Sequence, residues 1–154
     1  MNARTSSNIS LAKPLSTPCF CANLRRASRA VTRVYEEEFR NVGFTGATQY
    51  HVLRALGKIG SARQQDLGVL LDIDETTIAR TLKPLFHKAW LQHEKGKDRR
   101  EKWIALAPAG QQQLERGRPA WERAQARIKK ALPAGIWDSL IDSLPKVAEY
   151  GERA

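Results

Sequence analysis

A short segment near the middle of the chain carries hydroxyl and cationic side chains at helical spacing. Asp74 is a good helix N-cap, Thr76, Thr77 and Arg80 follow within the first turns, and Lys83 lies one turn further. Hydroxyl and guanidinium groups can donate hydrogen bonds to bases and phosphates, and a threonine methyl group can contact the thymine methyl group. Threonines near a helix start are also ordinary first-turn residues. The segment therefore predicts a helix that could enter the major groove of DNA, with plain helix initiation as the alternative.

A second basic feature follows some fifteen residues later. The run 95–102 reads KGKDRREK, and its five cations (Lys95, Lys97, Arg99, Arg100 and Lys102) outnumber two acids (Asp98 and Glu101). Strand-like residues 91–94 and 103–106 flank the run, so we expect a β-hairpin with a basic loop. Such a loop is often only a solvated turn, but it can also insert an arginine into the narrow minor groove.

These two features need neighbouring elements to position them. Residues 64–71 predict a short helix with Leu67, Leu70 and Leu71 facing inward, and residues 72–74 form a tight connection. Ile78, Leu82, Leu85 and Phe86 give the next helix its buried face, and Pro84 predicts a kink in it. Helix, turn, helix and hairpin occur in the order of a winged helix-turn-helix.

Long amphipathic segments flank this unit. Residues 19–40, 108–131 and 133–150 show apolar residues at helical spacing, whereas residues 1–17 show none and predict a disordered arm. Gly43 suits a left-handed helix end, and Thr45 suits the N-cap of the helix that follows. We therefore expect a mainly α-helical fold with a small β-hairpin, in which long helices flank the winged unit.

Composition narrows the classes of function. The 154 residues carry 26 Lys and Arg against 16 Asp and Glu, a formal net charge of +10, which favours a polyanionic partner. No apolar run is long enough for a membrane span and no export signal is evident, so we expect a cytoplasmic protein. The scattered histidines and the lack of a catalytic, metal-binding or phosphate-cradling motif argue against an enzyme, a metal site and a cofactor.

At residue level, the chain resembles the MarR family of bacterial transcription factors. The resemblance is carried by LGVLLDIDETTIARTLKPLFHKAWLQ (67–92) and by DRREKWIALAPAG (98–110). By this resemblance Arg100 is the minor-groove arginine of the wing and Asp98 its orienting carboxylate. Ala107 stands where the family usually has threonine, which removes a helix cap without changing the DNA-contacting residues.

The resemblance implies a homodimer that binds a pseudo-palindromic operator in double-stranded DNA, usually as a repressor. It divides the chain into an arm (1–17), an N-terminal dimerisation helix (18–43), a DNA-binding domain (44–107) and C-terminal dimerisation helices (108–154). The apolar residues of the outer helices, Trp121, Ile128, Trp137, Leu140, Ile141 and Leu144 among them, agree independently with dimerisation. The predicted DNA-binding residues are Ser61, Arg63, Gln64, Thr76, Thr77, Arg80, Lys83, Lys97, Asp98, Arg99, Arg100 and Lys102.

Family members usually release DNA when a small aromatic ligand binds or when a cysteine is oxidised. The predicted effector-pocket residues are Arg29, Tyr35, Phe39, Phe44, Tyr50 and His51, for which core packing is the alternative. Cys21 aligns with the reactive cysteine of the branch that senses organic hydroperoxides, which would imply a stress response, and Cys19 could resolve its oxidised form. A nearby helix start and Arg25 favour the thiolate, although Arg25 stands where that branch has an aromatic residue.

One other class of binding protein fits the charge. A non-specific nucleic-acid binder or architectural protein would also carry +10, but neither an RNA-binding strand motif nor a low-complexity basic tail is present. Binding to a specific operator and to random DNA at fixed salt would separate the two hypotheses.

Overall fold

A computed structural model describes residues 18–95 and 102–153 of the chain. These segments form six helices and three strands: α1 (Phe20–Arg40), α2 (Ala47–Ile59), β1 (Ser61–Ala62), α3 (Gln64–Leu71), α4 (Glu75–His87), β2 (Leu91–Lys95), β3 (Lys102–Leu106), α5 (Pro108–Ala131) and α6 (Ile136–Arg153). The predicted fold class, mainly α-helical with a winged helix-turn-helix between long helices, is confirmed. The predicted arm 1–17 and the loop 96–101 lie outside the described residues.

The core of the winged unit lies where α2, α3 and α4 meet. Leu53, Leu67, Ile78 and Leu85 are completely or almost completely buried there. The prediction that Leu70 faces inward is wrong, because 55% of its surface is exposed. The buried face of α3 is instead centred nearer Gly68, where a Cβ atom would lie only 3.0 Å from the carbonyl oxygen of Ile73. The missing side chain thus lets the turn pack against α3.

The sheet has three antiparallel strands in the order β1-β3-β2. In the hairpin, Leu91 pairs with Leu106 and Lys95 with Lys102, as the two-strand prediction requires. The third strand was not predicted: Ser61 and Ala62 pair with Ala105 and Ile104 on the other edge of β3. Two residues are too few to show an alternating pattern, so only the tertiary pairing reveals β1.

Two helix starts differ from the predictions. The N-cap of α2 is Gly46 and not Thr45, whose backbone N–H donates to Oε1 of Gln49 at 3.1 Å. The last helix begins at Ile136 and not at Pro133, because Gly135 adopts a left-handed φ of +80°. Gly43 is left-handed as predicted, with φ +90°. The helix α4 continues beyond Pro84 to His87.

The first residues of α5 are joined closely to the segment between α4 and β2. A Cβ atom on Gly110 would lie 1.9 Å from the carbonyl oxygen of Trp90, a distance that no side chain could accept. The same carbonyl oxygen accepts a hydrogen bond from the N–H of Ala107 at 3.0 Å. The start of α5 and the edge of the winged unit are therefore in direct backbone contact.

Hydrogen bonds and ion pairs connect the C-terminal half of α1 to the C-terminal half of α5. The Tyr35 hydroxyl donates to Oε1 of Gln125 at 2.7 Å. Glu38, whose side chain is only 15% exposed, accepts from Arg123 at 2.8 Å and from Arg127 at 2.9 Å. These hydrogen bonds hold the pKa of Glu38 below its ordinary value. The two long helices thus share a fixed ion-paired contact.

Candidate nucleic-acid interface

The helix α4 has one buried face and one exposed face. Ile78, Leu82 and Leu85 are at most 2% exposed and anchor the helix in the core. The polar side chains predicted to contact DNA are exposed along the other side: Thr76, Thr77, Arg80 and Lys83. The exposed face is therefore free for a groove about 12 Å wide, which admits a single helix.

The start of α4 is fixed by Asp74, as predicted. Its carboxylate accepts from the N–H of Thr77 at 2.9 Å and from the hydroxyl of Thr77 at 2.6 Å. The side-chain hydrogen bond from Thr77, then its backbone bond, keeps the pKa of Asp74 low. Because Thr77 donates its hydroxyl proton to Asp74, it offers a base only its methyl group and an oxygen lone pair. Thr76 and Arg80 are the donors on this part of the exposed face.

The residues around the start of α3 form a smaller polar group. Arg63 occupies the N-cap position, and its guanidinium donates to both carboxylate oxygens of Asp66, at 2.7 and 3.0 Å. Hydrogen bonding to Arg63 lowers the pKa of Asp66. Ser61 and Gln64 are half-buried beside it. The planar Arg63–Asp66 pair keeps the arginine oriented but also offsets part of its charge.

The described part of the wing is held against α4. His93 of β2 stacks on Phe86 of α4 with 4.5 Å between ring centroids. Lys102 is exposed at the first residue of β3, opposite Lys95. Lys97, Asp98, Arg99 and Arg100 lie outside the described residues, so their contribution stays a prediction.

The predicted effector residues do not surround one cavity. Phe39, Phe44 and Tyr50 are buried against each other, with ring centroids 4.8 to 5.7 Å apart. Tyr35 is half-buried and stacks on Phe39, whereas Arg29 and His51 are exposed. Burial raises the pKa of both tyrosines. Loss of hydration, followed by the charge of Arg54, lowers the pKa of His51.

An open cleft of about 430 Å³ lies instead between α2 and α5. Tyr50 is the one predicted effector residue that lines it, together with residues that include Arg54, Lys58, Arg118 and Trp121. The Arg54 guanidinium lies 4.2 Å from the centroid of the Trp121 ring. Sequence reasoning missed Arg54 and Lys58, although their spacing of four residues from Tyr50 and from each other places all three on one helix face.

The two thiols lie at the beginning of α1. Cys19 occupies the N-cap position and Cys21 the first turn, and both are exposed. Arg25 follows Cys21 by one turn on the same exposed helix. Both predicted redox residues are therefore exposed on the surface of a single chain.

Part of the chain matches the sequence model of a known protein family. Residues 46–102, from the N-cap of α2 to the first residue of β3, match the sequence model of the MarR family. The winged unit of the chain is therefore similar to that of the MarR family. An uncharacterized HTH-type transcriptional regulator of Bacillus subtilis, YwoH, is 27% identical over 92 residues, which cover 60% of this chain and 66% of YwoH. The matched part thus spans just under two thirds of that relative.

Two solved structures share the fold of the chain. A probable transcriptional regulator from Pseudomonas aeruginosa is 25% identical, with a TM-score of 0.76 over 84% of this chain and 97% of that one. The M. tuberculosis regulator MOSR, solved in complex with DNA, is 24% identical, with a TM-score of 0.77 over 88% of this chain and 97% of that one.

Across the described segments, we find no helix with the length and apolarity of a membrane span.

Proposed function

We propose that this chain is a sequence-specific DNA-binding repressor of the MarR family. The observation that carries the proposal is the exposed face of α4, where Thr76, Arg80 and Lys83 project from a helix anchored by its buried side and capped by Asp74. A relative of the same fold, MOSR, was solved in complex with DNA, which supports this role for the helix. Repression follows when an occupied operator excludes the transcription machinery.

Within this proposal the contacting residues have different tasks. Thr76 and Arg80 contact base edges in the major groove, with Lys83 at the side of the helix. Ser61, Arg63 and Gln64 contact phosphates from the start of α3. The wing residues Lys97, Asp98, Arg99, Arg100 and Lys102 contact the minor groove and its phosphates, with Arg100 inserted and Asp98 orienting it. Thr77 acts mainly through its bonds to Asp74.

We further propose that the functional unit is a homodimer. Leu140, Ile141 and Leu144 of α6 are 40 to 53% exposed, and Leu24 and Val31 of α1 are also exposed. These side chains would leave a large apolar surface in water on a single chain, and a second copy would cover it. In this arrangement residues 18–43 and 108–154 dimerise and residues 44–107 bind DNA. Two-fold symmetry then predicts a pseudo-palindromic operator with half-sites roughly 34–36 Å apart.

The release of DNA has two candidate mechanisms. The first is binding of a small aromatic ligand in the cleft between α2 and α5, where Trp121 and Tyr50 could stack on a ring and Arg54 and Lys58 could pair with an acidic group. The second is oxidation of Cys21, with Cys19 as the resolving thiol, since both lie exposed at the start of α1. The cleft and the thiols are separate, so each mechanism can be removed by mutation without touching the other.

The test of the function is selection from random DNA. The protein would be incubated with a random 30-base-pair library, and bound duplexes would be enriched, sequenced and compared with random DNA at fixed salt. A pseudo-palindromic consensus bound more tightly than random DNA by about 10³-fold or more would support the proposal. Equal affinity for all duplexes would support a non-specific or architectural binder and contradict it.

A further inference from the structure

A notch of about 340 Å³ lies where the start of α2 meets one flank of the exposed face of α4. Thr45 and Thr48 contribute from the start of α2, and Thr77, Arg80 and Thr81 contribute from α4. None of the described residues that line the notch carries a carboxylate. The polar groups of the notch are therefore hydroxyl groups, one guanidinium and the amide of Gln49, a set that suits an anion better than a cation.

Two of its hydroxyl groups are already engaged. Thr77 donates to Asp74 at 2.6 Å, and Thr81 donates to the carbonyl oxygen of Thr77 at 2.9 Å. Within the described part of the chain, the side chains of Thr45, Thr48 and Arg80 donate no hydrogen bond to another residue. Three donor groups consequently surround the notch and can reach a ligand there.

The width of the DNA groove indicates which ligand this is. A helix with its side chains is about 10–12 Å across and the major groove is about 12 Å wide, so a bound helix has a sugar-phosphate strand along each flank. If Thr76, Arg80 and Lys83 face the bases, the flank with Thr77 and Thr81 faces one of these strands. The start of α2 stands on that same flank, and it would meet the strand directly.

We propose that this notch, between Thr45 and Thr48 of α2 and Arg80 of α4, binds a phosphate of the DNA backbone. The two hydroxyl groups donate to the phosphate oxygens, and Arg80 offsets part of the charge while it reaches the groove. Such a contact carries no sequence information but fixes the register of α4 on the duplex. The inference rests on the proposed function and adds α2 to the DNA-contacting elements.

The first test is a charge substitution at Thr48. A carboxylate two residues after the N-cap is favourable for a helix, so the Thr48→Glu variant should fold with an unchanged or higher Tm. It should nevertheless bind every duplex about tenfold more weakly, because its carboxylate repels the phosphate. Thr48→Lys should bind more tightly. The slope of the logarithm of its affinity against the logarithm of salt concentration should become steeper by the amount that corresponds to about one more neutralised phosphate. Ile59→Glu, an exposed change at the far end of α2, adds the same charge away from the notch and is the matched control, which should bind like the wild type.

The second test identifies the phosphate. The duplex selected by the wild-type protein is prepared with one neutral methylphosphonate linkage at a time. One linkage in each half-site should weaken wild-type binding about threefold and weaken Thr48→Ala binding by a clearly smaller factor, since the variant has already lost one of the donors to that phosphate. If no linkage is coupled to Thr48, or if Thr48→Glu binds the selected duplex as tightly as the wild type, the notch does not bind phosphate. Failure of the wild type to select any sequence would instead contradict the proposed function.

Discussion

The carboxylate of Asp74 accepts two hydrogen bonds from Thr77, one from its backbone N–H at 2.9 Å and one from its hydroxyl at 2.6 Å. The cap thereby fixes both the first turn of α4 and the rotamer of one residue on its exposed face. The orientation of this turn also sets the direction in which Thr76 and Arg80 project from the helix.

The first prediction concerns this cap. Asp74→Ala should lower the Tm by a few degrees and weaken DNA binding, because the first turn of α4 loses its acceptor. Asp74→Asn keeps an acceptor and should recover most of both losses. Thermal unfolding followed by circular dichroism, together with a DNA titration, measures the two effects. Normal DNA affinity in a destabilised Asp74→Ala variant would contradict a role of the cap in DNA recognition.

The cap also predicts a dependence on pH. The folded protein lowers the pKa of Asp74, so the carboxylate contributes stability that is fully present above the unfolded value of about 3.9. That contribution is lost as the pH falls through the still lower folded value. The difference in Tm between the wild type and Asp74→Asn should therefore shrink as the pH is taken from 6 to below about 4. A constant difference over this range would show that the ionised form is not what stabilises the turn.

The second prediction concerns Arg80. Arg80→Ala should cost about 1–3 kcal/mol on the selected operator and relax the preference at one position of each half-site. A panel of operators with single base-pair substitutions measures this preference. Arg116→Ala, an exposed change on α5, removes the same charge and should keep the preference of the wild type. If Arg80→Ala binds the operators of the panel with the same order and the same ratios of affinity as the wild type, Arg80 does not contact a base.

The third prediction concerns the wing. Arg100→Ala should weaken binding to the operator without a change in Tm, since a charged residue in the predicted loop should contribute little to the core. Asp98→Ala should weaken it less, because the aspartate only orients the arginine. Affinities measured at near-physiological salt test both. Equal affinities for the wild type and Arg100→Ala would exclude this arginine from recognition.

The fourth prediction concerns the dimer. Changing both Trp137 and Leu140 to lysine should give monomers or insoluble protein, because these side chains lie on the apolar side of α6. Asp138→Lys, on the exposed polar side of the same helix, should leave the dimer intact. Sedimentation of each purified protein gives the result. A well-folded dimer of the double variant would mean that α6 packs only within its own chain.

The fifth prediction separates the two release mechanisms. If Cys21 is the sensor, an organic hydroperoxide should release DNA from the wild type, a thiol reductant should restore binding, and Cys21→Ser should ignore the oxidant. If the cleft is the sensor, an aromatic acid should release DNA from Cys21→Ser as well, whereas Arg54→Ala should respond weakly. A full oxidant response in Cys21→Ser would eliminate the thiol mechanism.

Local patterns in the sequence predicted the winged unit well. The α3 bounds, the Asp74 cap and the hairpin follow from short-range signals such as leucine spacing and a capping side chain, and the structure confirms them. Strand β1 escaped prediction because two residues carry no period of their own. The leucine spacing places Leu70 on the wrong face, because the absence of a side chain at Gly68 determines which face of α3 packs against the turn.

The candidate effector residues and the cleft were harder to predict from sequence. Phe39, Phe44 and Tyr50 are distant enough in the chain that only the fold shows their rings packed together. The cleft between α2 and α5 depends on how two helices approach each other, and Gly57 opposite Leu114 is part of that approach. Such interhelical geometry leaves no local signal in either helix.

The backbone contact between Gly110 and Trp90 makes α5 a lever. With 24 residues the helix is about 36 Å long, and its first turn cannot separate from the winged unit without breaking that contact. If α5 rotates by about 5° about its C-terminal end, its N-terminal end moves by about 3 Å. This displacement is close to the roughly 3.4 Å between successive base pairs. An angular change too small to alter the packing of the outer helices would thus be amplified into a shift of one step along the DNA.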